Sequence, residues 1–260
     1  MITSKSTQAT EPKPLTVIKL GGSLLEQLTA DFYVQLLALK NSGHSIVIVH
    51  GGGPAINQQL ADQNIETQIK DGLRVTSEKA VKIVQSTLVG LVNPSIVHQL
   101  NSVGIQAIGL NGFDDHLLVC DYLDPDVYQC VGKIRTVKPE LLSILIENDY
   151  VPVLSCIGTT EGGQALNINA DTVAGKVAFA LQADELLLVT DTPGIKINDL
   201  TQQHSSPDQI ASWIESGDIY GGMIPKVKAA LECIEAGVLS VQIVGESLQG
   251  TTISREAAIN

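Results

Sequence analysis

Six short, predominantly apolar runs rich in β-branched residues, at positions 17–20, 46–49, 105–110, 151–154, 186–189 and 241–244, constrain this chain more than any other feature. A strand with one wet face alternates apolar and polar residues, so unbroken apolarity marks strands covered on both faces. Amphipathic stretches of helical spacing lie between them, at 32–40, 55–63, 78–91, 139–147, 172–181 and 226–236. Parallel strands need crossovers long enough to hold a helix. The alternation therefore predicts an α/β fold, a three-layer α/β/α sandwich with a mostly parallel central sheet. Pro54 at a first helical position and Gly237 just after the last helix fit the usual start and stop signals.

A chain of 260 residues is long enough to hide about three-quarters of its unfolded surface. With 16 Lys+Arg against 28 Asp+Glu and a formal charge of −12, it lacks the basic footprint that tracks a phosphate backbone, so no nucleic-acid partner is expected. No apolar stretch is read as approaching the roughly 20 residues that span a bilayer, the strongest runs being about strand length, and no membrane partner is expected either. Residues 1–14 are polar, without an apolar signal core, and read as a flexible tail. Cys120, Cys130, Cys156 and Cys233 are widely spaced with no C-x-x-C. They read as buried small side chains of a cytoplasmic protein, not as a zinc site or a disulfide framework.

In open α/β sheets, ligands sit beyond the carboxyl ends of the strands. Gly21-Gly22-Ser23 follows the first run and His50-Gly51-Gly52-Gly53-Pro54 the second. Glycine turns let backbone N–H groups approach an anion, and two in one sheet point to a phosphate or carboxylate cradle. The dinucleotide pattern G-x-G-x-x-G fails, because Ile56 stands where its third glycine is required. The Walker pattern fails as well, since Gly132-Lys133 is followed by Ile134 and Gly175-Lys176 by Val177.

Lys19 interrupts an apolar strand just before its glycine turn, where an unpaired ammonium would be heavily penalised, so it is expected to meet an anion. Arg74, one of three arginines, lies in Gly72-Leu73-Arg74-Val75-Thr76; its planar guanidinium suits either a carboxylate ligand or a surface ion pair. In Asn167-Ile168-Asn169-Ala170-Asp171 two readings stand: Asp171 caps the following helix, or it orients lysines while the Asn side chains face a ligand. The segment from Asp191 to Gly194 reads as a turn after the fifth run. Lys226, in the first turn of the last long helix, gains nothing from the helix dipole unless a polyphosphate binds nearby. His50 has no Ser or Cys nucleophile signature around it and reads as a structural histidine.

In their order along the chain, Lys19-Leu20-Gly21-Gly22, His50 to Pro54, Gly72 to Thr76, Asn167 to Asp171 and Gly222-Met223-Ile224-Pro225-Lys226 resemble the acetylglutamate kinase branch of the amino acid kinase family. The resemblance implies transfer of the ATP γ-phosphoryl group, with Mg2+, to the side-chain carboxylate of N-acetyl-L-glutamate. It implies a lobe over 15–171 that binds the amino acid and forms a homodimer, and a lobe over 172–260 that binds ATP. Carried over by position, Lys19 and Lys226 stabilise the transition state and Asp171 holds both lysines. Gly22, Gly52 and Gly53 offer backbone N–H groups, and Arg74 and Asn167 bind the acetylated amino acid. Asp191, Thr192, Pro193, Gly194, Ile195 and Lys196, with Asp218, Ile219 and Tyr220, line the nucleotide site. No side chain is implied as a metal ligand, the Mg2+ arriving on the ATP phosphates.

Relatives inhibited by arginine carry a longer N-terminal helix that joins dimers into hexamers, so an arginine-insensitive dimer is expected. The short connection between 244 and 250 implies a reduced helix there. Kinases of the same family acting on a carrier-bound aminoadipate, glutamate or carbamate remain the nearest alternative, and a non-catalytic sensor is the alternative from another class.

Overall fold

The computed structural model describes residues 13–25 and 27–255. Most of the expected tail at 1–14 lies outside them; Lys13 and Pro14 are described, and the Pro14 carbonyl accepts from Ser45 N–H at 2.8 Å.

The central sheet has eight strands: β1 (Leu15–Leu20), β2 (Ser45–His50), β3 (Ala107–Leu110), β4 (Val151–Ser155), β5 (Glu185–Val189), β6 (His204–Ser205), β7 (Ser240–Val244) and β8 (Gly250–Ser254). Their order is β6-β8-β7-β5-β1-β2-β4-β3. The six apolar runs are the six strands from β7 to β3, every neighbouring pair parallel. β8 pairs antiparallel with β7 and parallel with β6, so β6 and β8 run opposite to the other six strands, and no helix occupies the tight connection between β7 and β8.

Unbroken apolarity has a direct structural reason here. Val17, Val47, Val49, Leu154, Leu186 and Leu188 enter one core, with Val173 and Val177 of the Ala170–Ala180 helix. Ile18, Leu20, Ile46, Ile48, Val153 and Leu187 enter a second, with Phe32, Leu36 and Ile96. Successive side chains of a strand point to opposite faces, so each run feeds both layers, and each buried Val, Leu or Ile contributes about 1.5–3 kcal/mol.

A second sheet of four short strands was not anticipated: Ala165–Asn167, Ile157–Thr159, Leu118–Tyr122 and Gly132–Val137. Two of its strands carry Asp121, Lys133 and Arg135 exposed and the other two are only three residues long, so none gives a continuous apolar signal. The helix expected to stop at 91 also continues. After Glu78–Thr87 comes a π-helical turn, Leu88–Val92, and then Asn93–Ser102. Pro94 has no N–H and its ring clashes with the carbonyl four residues back, so the chain inserts a wider turn instead of ending the helix.

By length and mean hydropathy this Glu78–Ser102 helix is long and apolar enough to cross a membrane, which corrects the expectation that no stretch is. In the fold it is a core element, with Val84, Leu88, Val92, Ile96 and Leu100 buried against the neighbouring layers. All four cysteines are free and buried, as read from the sequence.

Candidate active site

Chain order reverses at β1, which has β2 on one side and β5 on the other. Crevices at such reversals open at the carboxyl ends of the strands, here at Gly21-Gly22, Gly51-Gly52-Gly53 and Thr190-Asp191. The two glycine turns meet backbone to backbone. A Cβ placed on Gly22 would lie 2.4 Å from Gly53 N and 3.0 Å from Gly52 N. Gly51 N–H is held by the Leu20 carbonyl at 3.2 Å, whereas the N–H groups of Gly22, Gly52 and Gly53 find no acceptor among the described residues. The site thus presents unpaired backbone donors around a space that only glycines leave open.

Lys19 extends from β1 toward the Ala170–Ala180 helix and pairs with Asp171 at 2.9 Å, its side chain only 14% exposed. That near-burial makes the partner obligatory, because an unpaired ammonium there would forfeit its hydration. The cap of this helix is Asn169, whose Oδ1 accepts from the N–H groups of Asp171 at 2.8 Å and Thr172 at 3.1 Å. The capping reading of Asp171 is therefore corrected, and its carboxylate is free to face Lys19.

Lys226 departs from expectation in its partner. It pairs with Asp191 at the end of β5 and donates to Thr192 Oγ1 at 2.9 Å. Asp171 thus holds one of the two lysines and Asp191 the other. Donation from Lys226 is also the main reason the Asp191 carboxyl is held below the usual carboxylate range. Lys19 is in register with Leu188 on the adjacent β5, while Lys226 reaches from the first turn of the Met223–Glu235 helix to Asp191, two residues past the end of that strand.

A cavity of about 150 Å³ beside the glycine turns is lined by Gly52, Gly53, Arg74, Cys156, Asn167 and Asn169, among others. Arg74 sits on a hairpin whose turn residues, Asp71 and Gly72, both have positive φ. Its guanidinium donates to Thr67 Oγ1 at 2.8 Å and to Asn57 Oδ1, both neutral, and no carboxylate pairs with it among the described residues. Burial lowers its pKa somewhat, but a guanidinium stays charged. The surface ion-pair reading is replaced by an unmatched cation in a pocket. Asn167 donates to Thr76 Oγ1 at 3.1 Å, which fixes its amide at the cavity wall. Cys156 lines the same space, but burial drives its thiol pKa far up, so it is inert. An adjoining cleft of about 570 Å³ shares Gly72, Leu73 and Asn169 with this cavity and reaches Asp171 and Pro225, next to Lys226.

The residues carried over to the nucleotide site divide by burial. Ile195 and Ile219 are core side chains, at 0% and 2% exposure, so only their backbone is available to a ligand. Ile195 N–H is itself taken by Thr251 Oγ1 at 2.8 Å. Gly194, at φ +96°, packs against Thr251 and forms the bend after β5. Pro193 lines a separate opening with His204 and Gln249, while Lys196 and Tyr220 are exposed. Asp218 accepts from Ser216 Oγ at 2.6 Å.

His50 is the structural residue it was read to be. Its Nδ1 lies 2.8 Å from the Gly51 carbonyl and its Nε2 3.0 Å from Asn93 Nδ2. Burial lowers its pKa to about 4. The unfolded ring titrates near 6.5, so on acidification the unfolded chain takes up the proton first. The stability contributed by the neutral ring is full above about pH 6.5 and is lost as pH falls toward 4, by up to about 3 kcal/mol. Urea unfolding followed across this range should show the decline, and His50→Asn should flatten it; an unchanged slope in the variant would contradict the assignment. Asn93 went unnoticed in the sequence, although an Asn-Pro inside an apolar helix was the available signal.

Fold and crevice together define a phosphotransferase-type α/β sandwich, and the chain belongs to the amino acid kinase family, whose sequence profile matches residues 14–245. Among its relatives is the acetylglutamate kinase of Halalkalibacterium halodurans, 40% identical over 251 residues that cover 93% of this chain and 96% of that one. The acetylglutamate kinase of Geobacillus kaustophilus is 39% identical over 94% of this chain and 97% of its own. The crystal structure of smu.665 from Streptococcus mutans UA159 superposes with a TM-score of 0.83 at 35% identity, covering 93% of this chain and 99% of that one.

Proposed function

We propose that this protein is an ATP-dependent kinase that phosphorylates the side-chain carboxylate of N-acetyl-L-glutamate, giving N-acetyl-L-glutamyl 5-phosphate for arginine biosynthesis. The observation that carries the reading is the convergence, at three adjacent strand ends, of two lysines and three partnerless backbone N–H groups. The names of the relatives at about 40% identity agree with it.

A γ-carboxylate is ionised near neutral pH and is already a nucleophile, so no general base is required. Its oxygen forms a bond to the γ-phosphorus as the bridging bond to the β-phosphate breaks and ADP departs. The barrier lies in bringing two anions together, and the remedy is positive charge and fixed dipoles at the equatorial oxygens. In this reading Gly22, Gly52 and Gly53 donate to those oxygens, and Lys19, steadied by Asp171, stands beside the acceptor. Lys226 exchanges Asp191, an exposed carboxylate, for the β/γ-phosphates. Arg74 takes the α-carboxylate and Asn167 the amide-bearing end of the substrate.

The described residues hold no cluster of three or more His, Cys, Asp or Glu, and both site aspartates already face lysines. That donor set suits Mg2+ carried on the phosphates, where it would neutralise charge. The division into lobes at 171/172, a homodimer and a cytoplasmic location belong to the same proposal.

A coupled assay of ADP release tests it: turnover should depend on N-acetyl-L-glutamate, and turnover supported only by another acid would overturn the substrate. In the same assay Arg74→Ala is expected to raise KM for N-acetyl-L-glutamate by roughly 100-fold, with KM for ATP little changed, as fits loss of a half-buried charge-assisted contact. Equal shifts in both constants would remove Arg74 from the acid's site.

A further inference from the structure

His50 and Asn93 form a buried polar pair with no role in the reaction described above, yet their contacts lead to the glycine cradle. We propose that His50, fixed in one tautomer by Asn93, is a positioning residue that aims the Gly52 N–H at the transferring phosphoryl group. The inference rests on the phosphotransfer reading of the cradle.

A carbonyl oxygen only accepts, so the 2.8 Å contact between His50 Nδ1 and Gly51 O places the ring proton on Nδ1. Nε2 then carries a lone pair, and Asn93 Nδ2 donates to it at 3.0 Å. The Asn93 amide is itself oriented by the Val153 carbonyl at 2.8 Å, an acceptor that requires the nitrogen on that side. Both ring nitrogens are satisfied, in a residue with no exposed surface. The low imidazole pKa agrees with a permanently neutral ring.

Two features of the fold hold Asn93 in place. The π-helical turn closes with Asn93 N–H on the Leu88 carbonyl, and the extra residue rotates everything after it by about 100°. The opposing strand β3 supplies Gly109, where a Cβ would lie 2.0 Å from Asn93 Oδ1.

The consequence for the cradle follows from peptide planarity. In a trans peptide the C=O of Gly51 and the N–H of Gly52 point in opposite directions. With Gly51 O held toward the His50 ring, the Gly52 N–H is turned away from it. Gly52 N is also one of the atoms crowding the Gly22 Cβ position, at 3.0 Å, so this peptide borders the space between the two turns. Without the His50 contact the peptide is free to rotate and the donor loses its aim.

Two substitutions separate the hydrogen bond from the bulk of the ring. In His50→Asn the amide nitrogen can occupy the place of Nδ1 and keep the donation to Gly51 O. In His50→Gln the amide reaches the Nε2 position, and Gly51 O is left without a donor. The full-length chain is assayed for ADP release with N-acetyl-L-glutamate and ATP, alongside thermal unfolding. His50→Gln is expected to lower kcat 10- to 100-fold with both KM values within about threefold. His50→Asn should stay within about fivefold of the parent kcat although its melting temperature falls. A His50→Gln kcat within twofold of the parent would overturn the proposal, and so would His50→Asn falling as far as His50→Gln. If His50→Gln does not fold, Asn93→Ala provides the second reading: it frees the tautomer and should lower kcat several-fold at unchanged KM, and parent-like kcat would count against the proposal. A parent that releases no ADP with N-acetyl-L-glutamate sinks the phosphotransfer reading, and this inference with it.

Discussion

Lys226→Ala is expected to lower kcat by roughly three orders of magnitude while weakening nucleotide binding only several-fold. The asymmetry comes from where the charge is needed. Negative charge on the bridging and equatorial oxygens is redistributed as the phosphoryl group moves, and a cation placed there supports the transition state more than the ground state. In the structure Lys226 is satisfied by Asp191 and Thr192, so much of its attraction for a bound nucleotide is offset by the loss of those partners. The substitution also leaves Asp191 without its ammonium, adding repulsion against the phosphates. Steady-state kinetics with ATP titration measures both quantities. A kcat within tenfold of the parent, or a loss confined to KM for ATP, would place Lys226 outside the chemistry.

Gly22→Ala is the second large effect, and its origin is steric. The new methyl would lie 2.4 Å from Gly53 N, a distance no packed carbon tolerates, and a tight 3.0 Å from Gly52 N. The contacts are backbone on both sides, so no flexible side chain is available to yield. One glycine turn has to move away from the other, and all three cradle donors move with it. A drop in kcat of at least about 100-fold is expected, comparable to removing a preorganised oxyanion donor. Destabilisation should be modest, because the turn lies at the end of the cores and not within them, and circular dichroism should report the parent fold. Near-parent activity in a folded Gly22→Ala protein would mean that the close approach of the two turns is unnecessary for turnover. Gly53→Ala is the internal contrast, since a Cβ there meets nothing within 4 Å.

The parallel sheet was readable because burial on both faces leaves a local trace. The runs at 17–20, 46–49 and 186–189 are apolar at every position except Lys19, and that exception marks the site. The second sheet left no comparable trace, since Leu118–Tyr122 and Gly132–Val137 carry Asp121, Lys133 and Arg135 outward and the other two strands are only three residues long. The helix through Pro94 escaped for a similar reason: proline ends most helices, and only packing against the sheet makes the π-helical turn at Leu88–Val92 worthwhile. In the site, the glycine turns and the lysines were visible as motifs, whereas the assignment of each lysine to its carboxylate was not. Asp171 and Asp191 both follow strands or lead helices, and nothing in their spacing says which ammonium each one meets.

The amino-acid sequence by itself determined the layered α/β architecture, the membership of the six strands in one parallel sheet, and the glycines and basic residues from which an anion site is built. Those properties are written in local periodicity and in residue chemistry, and need no knowledge of distant neighbours. Only the tertiary structure decided that Lys19 answers to Asp171 and Lys226 to Asp191, that Asn169 and not Asp171 caps its helix, and that His50 is bound to Asn93 beneath the glycine turn. Apart from the local Asn169 cap, these partners are separated by 35 to 152 positions and joined by strand order and helix packing, and a one-dimensional pattern carries no record of which of several equivalent charges will be within 3 Å.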